Sequence, residues 1–163
     1  MANIVKAKVL TQQAYENYGV LIERDTSIKA DVEREYLNYW GDVYDPKFDS
    51  GSTTGYLEMF RQDFLVNQLE RHVTGPEIFI PVEGVSVMAF APAGDNNDKG
   101  AEPDPEKIEV FIVDGSQGIV IERGVWHFPP LPITAVMRFM LVVPKNVGDD
   151  LDIKSFDDVH IML

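Results

Sequence analysis

Short apolar segments, separated by turns rich in glycine and proline, follow one another from Tyr56 through most of the rest of the chain. Residues 77–82, 85–91 and 108–113 are representative, because each is long enough for one strand and too short for a stable helix. Many short strands at regular spacing are typical of a β-sandwich or a closed barrel. The sequence therefore predicts a mainly all-β fold.

The N-terminal third of the chain is less regular. Residues 1–9 alternate loosely and predict an opening strand, residues 12–17 predict a short helix, and residues 20–22 predict a strand. Residues 25–40 have mixed periodicity, which fits a strand, a helix or a lid-like loop. Residues 45–55 have the composition of a loop, and a loop of that size over a site is suited to substrate contacts.

Two further segments have a composition that sets them apart from the strands. Residues 94–106 combine prolines with several Asp and Asn residues and predict a surface hairpin loop. The tail, residues 149–163, predicts either an edge strand or a short helix around residues 155–159. The other predicted strands are residues 56–61, 64–73, 118–121, 126–128 and 136–143.

Composition narrows the classes of function. With 163 residues and no cysteine, the chain is expected to form a single domain over residues 1–163, and thiol catalysis and thiolate metal sites are excluded. The net charge of −13 argues against nucleic acid and anionic membranes as partners. The N-terminal segment lacks a hydrophobic signal core, and no apolar run approaches the roughly 20 residues that span a bilayer. We therefore expect a cytoplasmic protein.

Three potential ligands for a metal or a substrate lie close together in residues 69–84. Side chains alternate between the two faces of a strand, so Glu70 and His72 are expected to point to the same side. A glycine-proline turn then brings Glu77 back over this pair. His127 comes from far along the chain, and the chain contains only three histidines in all. Two of the three histidines, His72 and His127, therefore lie in these two segments.

The spacing of these residues resembles the two metal-binding motifs of the cupins. The run from Glu70 to Gly84 has the spacing of the first motif, HxH-x3,4-E-x6-G, with a glutamate in place of the first histidine. The run from Gly124 to His127 has the spacing of the second motif, PxG-x2-H, with Glu122 in place of the proline. This resemblance implies a cupin-type barrel, which is a double-stranded β-helix of the jelly-roll kind, with a short N-terminal helix.

Within the cupins, the chain resembles the ureidoglycolate lyase family, also called ureidoglycolate hydrolases. Three blocks carry the resemblance: LTQQAYENYGVLIE near the start, LERH with FIPVEG in the centre, and FIVDGSQGIVIERGVWHFPPL later. Members of that family cleave ureidoglycolate to glyoxylate and urea in allantoin and purine degradation, and they are compact, commonly dimeric, metal-supported enzymes. The resemblance therefore implies a homodimeric C–N lyase that acts on a small carboxylic acid.

The resemblance also implies one divalent metal ion, with nickel, zinc, manganese and iron as candidate identities. Its ligands would be Glu70, His72, Glu77 and His127. Imidazole nitrogen and carboxylate oxygen are both competent ligands for such ions. A 2-hydroxy acid would chelate the ion, and a lowered pKa of its hydroxyl group would assist cleavage of the C–N bond. In the alternative interpretation, both histidines are core residues and Glu70 pairs with an arginine at the surface.

Four other residues are candidates for binding or catalysis. Arg61 is the first candidate to bind the substrate carboxylate and to assist catalysis, because it lies just before the ligand strand and a guanidinium can donate two parallel hydrogen bonds. Arg138 is the second candidate for the carboxylate. Glu122 is a candidate catalytic acid or base because it lies two residues before the motif glycine. Trp126 is a candidate for stacking on the substrate, and filling the barrel wall is the other role open to it.

Two other classes of function fit the same motifs. One is a different cupin reaction on a small carboxylic acid, either an isomerisation or an oxidation by an iron dioxygenase. The other is a cupin that binds a small acid without turning it over. The glutamate at position 70 and Phe128, which stands where members of the family tend to have a second histidine, keep the binding function open.

Overall fold

The computed structural model describes residues 3–145 and 147–163, so Met1 and Ala2 of the predicted opening strand lie outside the described residues. One α-helix is present in the described part, α1 (Gln12–Tyr15), which Thr11 caps by accepting a hydrogen bond from the Ala14 amide. Within the same residues, no helix is long and apolar enough to cross a membrane.

Nearly all of the remaining regular structure is strand, apart from two 3-10 turns at Pro105–Lys107 and Val147–Asp150. The strands are β1 (Asn3–Val9), β2 (Gly19–Ile22), β3 (Val32–Arg34), β4 (Leu37–Tyr39), β5 (Ser52–Phe60), β6 (Leu65–Arg71), β7 (Glu77–Glu83), β8 (Ser86–Ala91), β9 (Glu109–Val113), β10 (Gly118–Ile121), β11 (Trp126–His127), β12 (Leu131–Pro132), β13 (Val136–Pro144) and β14 (Asp152–Met162).

The strands form two main sheets and one small hairpin. One sheet has five strands in the order β2-β10-β7-β13-β5, and the other has seven in the order β11-β6-β14-β1-β9-β8-β12. Strand β11 also pairs with β8, so six strands of the larger sheet close into a ring. Strand β1 is parallel to both of its neighbours, β14 and β9. The hairpin is formed by β3 and β4.

This topology creates two hydrophobic cores. The first lies between the five-stranded sheet and strands β8 and β9, and it is rich in aromatic rings, which include Tyr15, Phe90 and Phe111 in edge-to-face contact. The second lies inside the ring and is built mainly from smaller aliphatic side chains around Trp126. Alternation along β8 sends Phe90 to the first core and its neighbour Ala89 to the second.

The predicted fold class is confirmed: the chain is a mainly all-β jelly-roll barrel of the cupin type with a short N-terminal helix. The helix ends at Tyr15, two residues earlier than predicted. The undecided residues 25–40 contain the β3–β4 hairpin.

The tail of the chain corrects one prediction. It is neither an edge strand nor a helix, because β14 lies inside the seven-stranded sheet and pairs with β1 on one side and β6 on the other. Val159 and Ile161 are two positions apart and both enter the second core. This burial of alternate residues favours an inner strand over a short helix.

Candidate active site

Near the C-terminal end of β6, successive side chains point to opposite sides of the strand. Glu70 and His72 point toward His127, and each of the three offers a ligand atom, with all three atoms within 4.8 Å of one another. Arg71, which lies between Glu70 and His72, points to the other side and stacks over the ring of Trp126. The expected placement of Glu70 and His72 on one side of the strand is therefore confirmed.

Two neighbouring strands complete the cluster. His127 on β11 is directly opposite Glu70 in the ladder between β11 and β6, and its Nε2 atom lies 3.6 Å from Glu70 Oε1. Glu77 is the first residue of β7. Its Oε2 atom lies 3.0 Å from His127 Nε2 and 3.9 Å from His72 Nε2. Four side chains from three segments of the chain thus converge at one point.

The backbone orients the imidazole of His127. Its Nδ1 atom lies 3.1 Å from the Val125 carbonyl oxygen, which can only accept a hydrogen bond, so Nδ1 carries the proton. In the neutral ring, Nε2 therefore has a lone pair that faces the carboxylates of Glu70 and Glu77. This arrangement, with one ring nitrogen fixed by a carbonyl and the other free, is the usual one for a histidine that binds a metal.

Burial and charge act in opposite directions on this cluster. Burial alone would raise the pKa of Glu77, but the contacts with His127 and His72 lower the pKa below its usual value. Burial alone would lower the pKa of His127, but Glu77 and Glu70 raise it. The cluster therefore favours an ionised carboxylate and attracts positive charge to the point between its members.

The hydrogen bonds of the cluster indicate that a cation fits there. Among the described residues, His72 Nδ1 is buried and has no hydrogen-bond partner, and Glu77 Oε2 has a donor only when His127, 3.0 Å away, is protonated at Nε2. Buried polar atoms without a partner are costly and uncommon in native proteins. Two imidazoles and two carboxylates make a donor set suited to a first-row divalent cation. The residues present therefore fit the metal ion that the cupin motif implies.

Gly124 joins the two histidine segments. Its φ angle is +75°, a conformation that favours glycine, and its amide donates a 2.7 Å hydrogen bond to the carbonyl of His72. A Cβ atom at this position would lie 1.7 Å from Oδ1 of Asn96, whose exposed side chain would have to turn aside. The motif glycine is thus favoured mainly by its positive φ angle, at a point where three chain segments approach one another.

The structure does not bring Arg61 to the cluster. Arg61 follows β5, in the turn that leads to β6, and its Nη1 atom donates to the Ile133 carbonyl at 3.0 Å. Glu70 is the last but one residue of β6, at the other end of that seven-residue strand. At about 3.3 Å per residue, the strand separates the two by most of its length.

Arg138 also lies away from the cluster. It is on the outer face of the five-stranded sheet, where its Nε atom donates to Glu58 Oε2 at 2.6 Å and its Nη1 atom pairs with Glu83. The adjacent residues Met137 and Phe139 are buried in the first core, so the alternation of β13 turns Arg138 outward.

The side chains of the last two candidates, Trp126 and Glu122, make their contacts outside the cluster. Trp126 is fully buried in the second core, which puts its indole on the side of β11 opposite to His127. Glu122 follows β10, and its carboxylate accepts a 3.0 Å hydrogen bond from the hydroxyl of Tyr44. Burial, together with Glu122, raises the pKa of Tyr44 above its usual value.

Comparison with known proteins identifies the family. The ureidoglycolate lyase family model matches residues 2–162. The chain belongs to the ureidoglycolate lyase family. Its relatives named ureidoglycolate lyase include one from Agrobacterium fabrum, 25% identical with 97% of this chain and 95% of the relative covered. Another, from Pseudomonas fluorescens, is 29% identical with 94% of this chain and 93% of the relative covered.

A solved structure was also found to be similar. It is the TDP-fucose-3,4-ketoisomerase from Campylobacter jejuni, with a TM-score of 0.47, 12% sequence identity, and coverage of 81% of this chain and 86% of the other. The predicted resemblance to the ureidoglycolate lyase family is confirmed by the family match, and with it the prediction of an enzyme of the lyase class.

The sequence did not predict the contacts that hold the loop at residues 42–51 against Glu122 and Arg123. Besides the Tyr44 contact, Arg123 donates two hydrogen bonds to Asp49, at 2.8 and 2.9 Å, and one to the Lys47 carbonyl at 3.0 Å. The loop composition suggested substrate contacts, but no local pattern connects Asp49 with a residue 74 positions later.

Proposed function

We propose that this chain cleaves ureidoglycolate to glyoxylate and urea with the support of one divalent metal ion. The ligands would be Glu70, His72, Glu77 and His127. The proposal is carried by one observation: in a chain of this family, two buried imidazoles and two carboxylates converge, and His72 Nδ1 has no hydrogen-bond partner among the described residues. The identity of the ion stays open among nickel, zinc, manganese and iron.

When bound, the ion would supply Lewis-acid chemistry, which lowers the pKa of a coordinated hydroxyl group. The residues of the chain would do the rest. His127 is held in one tautomer by the Val125 carbonyl and keeps Nε2 available as a ligand. Glu77 is the buried carboxylate of the set, and its lowered pKa keeps it ionised. Fixed ligands of this kind orient the substrate before reaction.

Proton transfer is assigned to Glu122 in this proposal. Cleavage requires a base to take the hydroxyl proton of the substrate and an acid to protonate the leaving nitrogen. Glu122 lies two residues before Gly124, and Tyr44 donates to its Oε1 atom, which holds the carboxylate in place. Tyr44 would then act as a positioning residue for Glu122.

The substrate carboxylate is not assigned to an arginine. Arg61 and Arg138 donate to Ile133 and to Glu58 and Glu83, away from the cluster. Arg71, which is next to the ligands in sequence, points into the second core. We therefore infer that a 2-hydroxy acid would be recognised through its carboxylate and hydroxyl oxygens at the cation.

One pair of measurements tests the proposal. Elemental analysis of the purified protein should find about one divalent ion per chain, and urea and glyoxylate should be released from one enantiomer of ureidoglycolate. Removal of the ion with a chelator should abolish release, and replacement should restore it. His72→Ala should lose both the ion and activity, whereas His160→Ala, a change of the exposed third histidine on β14, should keep both. Full activity in metal-free protein would refute the metal requirement.

The homodimer is proposed to form through the outer face of the five-stranded sheet. Tyr56, Met140 and Ile80 lie side by side on β5, β13 and β7 and are exposed, as is Val82. A contiguous apolar patch on a sheet face is typical of an interaction surface. Met140→Lys should therefore yield a monomer by light scattering, and an unchanged mass would exclude this face. The cytoplasmic location stays a prediction.

A further inference from the structure

His72 lies just beyond the end of β6, the strand that carries Glu70. The ladder between β6 and β14 begins with the pair Asp152 and Arg71, and β6 ends at Arg71. The hydrogen bonds of the sheet therefore do not fix the backbone of His72 or of the turn that follows it. Since a metal ligand must be held in a defined position, another part of the chain must supply that restraint.

Asp150 supplies three hydrogen-bond contacts at this point. Its Oδ2 atom accepts from the amide of Val73 at 2.7 Å, from the amide of Thr74 at 2.8 Å and from the Thr74 hydroxyl at 2.8 Å. Hydrogen bonds to a charged acceptor are stronger than those between neutral groups. One carboxylate from a segment 76 or more positions away thus holds both amides that follow His72.

The restraint acts on His72 from both sides. On the other side of the peptide, the Gly124 amide donates a 2.7 Å hydrogen bond to the His72 carbonyl. Gly124 is three residues before His127, so the same bond sets the spacing between the two imidazole-bearing segments. Without Asp150, the His72 peptide would keep the Gly124 contact but the two amides that follow His72 would lose their acceptor.

We propose that Asp150 is a positioning residue for His72, which holds the imidazole in the geometry that binds the divalent ion. The proposal rests on the proposed metal-supported function and deepens it. Asp150 does not touch the ion or the substrate: it acts through the backbone of residues 73–74. Its neighbour Asp149 is exposed and makes no side-chain hydrogen bond in the part of the chain that the structure describes, which makes it a matched control.

The test compares three full-chain variants: Asp150→Ala, Asp150→Asn and Asp149→Ala. Zinc binding to metal-free protein is measured by calorimetry. Asp150→Ala should weaken zinc binding about 10-fold or more, which is the range found when groups that orient metal ligands are removed. Asp150→Asn keeps an oxygen that accepts from both amides and should stay within about threefold of the wild type. Asp149→Ala should bind zinc as the wild type does.

A second measurement needs no metal. The chain has only three histidines, so their imidazole resonances can be resolved by NMR. In metal-free Asp150→Ala, the His72 resonance should shift and broaden, while that of His160 should not change. If the His72 resonance and zinc affinity both match the wild type, the role of Asp150 is refuted.

The two proposals fail in distinguishable ways. A wild-type protein that binds no divalent ion would refute the metal requirement, and the His72 resonance in Asp150→Ala would still decide whether Asp150 positions the ring. A loss of zinc binding in Asp150→Ala that Asp150→Asn does not recover, together with a large fall in the thermal unfolding midpoint, would show a general structural role and overturn the inference.

Discussion

Strands β6 and β11 carry a buried polar cluster on each of their two sides, and the clusters differ in how their hydrogen bonds are satisfied. On one side, His72 Nδ1 has no partner among the described residues, and Glu77 Oε2 faces Nε2 of His127, which has no proton to donate in the neutral ring. On the other side, the guanidinium of Arg71, only 2% exposed, donates to Asp152 and to the carbonyls of Asp95 and Asp98 and stacks on the ring of Trp126.

This difference separates a structural role from a functional one. Burial of a charge is unfavourable unless hydrogen bonds and an opposite charge compensate for it. Arg71 has that compensation, and it joins β14, the 94–106 loop and Trp126 into one unit. In the cluster around His127, three of the four side chains are buried and the compensation is incomplete. Unpaired buried atoms also occur at Trp126 Nε1 and Ser86 Oγ, so the cluster is distinguished by the convergence of ionisable side chains around its unpaired atom and not by that atom alone.

The largest expected effect comes from breaking the satisfied cluster. Arg71→Met should lower the free energy of unfolding by about 3 kcal/mol, because it leaves Asp152 and two carbonyls without their partner. Urea denaturation measures the loss. Arg138→Met is the matched control, since Arg138 also pairs with carboxylates but on the outer face of a sheet. An equal shift of the urea midpoint in both variants would contradict the contrast.

The second largest effect is expected from a change in the cluster around His127. It should appear as a loss of zinc affinity and not as a loss in the free energy of unfolding. His72→Gln should weaken zinc binding at least about 100-fold, the upper end of the loss when an outer residue of a metal site is removed. The free energy of unfolding of the metal-free protein should change by less than about 1 kcal/mol, because no hydrogen bond of Nδ1 is lost.

Calorimetry and urea denaturation of the same preparation separate the two quantities. His160→Gln is the control, with wild-type values expected for both. A metal-free His72→Gln protein as unstable as Arg71→Met would mean that His72 is an ordinary core residue.

The smallest expected effect comes from a change of Trp126. It distinguishes packing in the core from stacking on the substrate. Its Nε1 atom has no hydrogen-bond partner in the described residues, so Trp126→Phe keeps an aromatic face under Arg71 and loses mainly contact area. We expect a loss of about 1 kcal/mol in the free energy of unfolding and unchanged zinc affinity. Thermal unfolding and a zinc titration check both expectations. A KM increase for ureidoglycolate without a loss of stability would instead support stacking on the substrate.

Local sequence patterns were sufficient for part of the site. The two-residue period of a strand predicts that Glu70 and His72 share a side, and the separation of the cupin motifs predicts that His127 joins them, as it does at 3.6 Å from Glu70. The short strands and their turns predict the barrel. These features depend on neighbours in sequence or on a motif of fixed spacing.

Features that depend on distant pairing could not be predicted in this way. Arg61 is close to the ligand strand in sequence, yet it lies in the connection from β5 to β6, at the opposite end of β6 from Glu70. The inner position of β14 depends on pairing with β1, which is at the other terminus. The partners of Arg71 and Asp150 lie in loops that no periodic pattern marks.

The inner position of β14 also has a consequence for folding. Residues 152–162 fill the gap between β1 and β6, so the six-stranded ring cannot close before that segment pairs with both strands. Until then, the edges of β1 and β6 that face the gap are unpaired, and such edges are sites where other chains can add. The insertion of β14 should therefore be the step of folding at which the risk of aggregation is greatest.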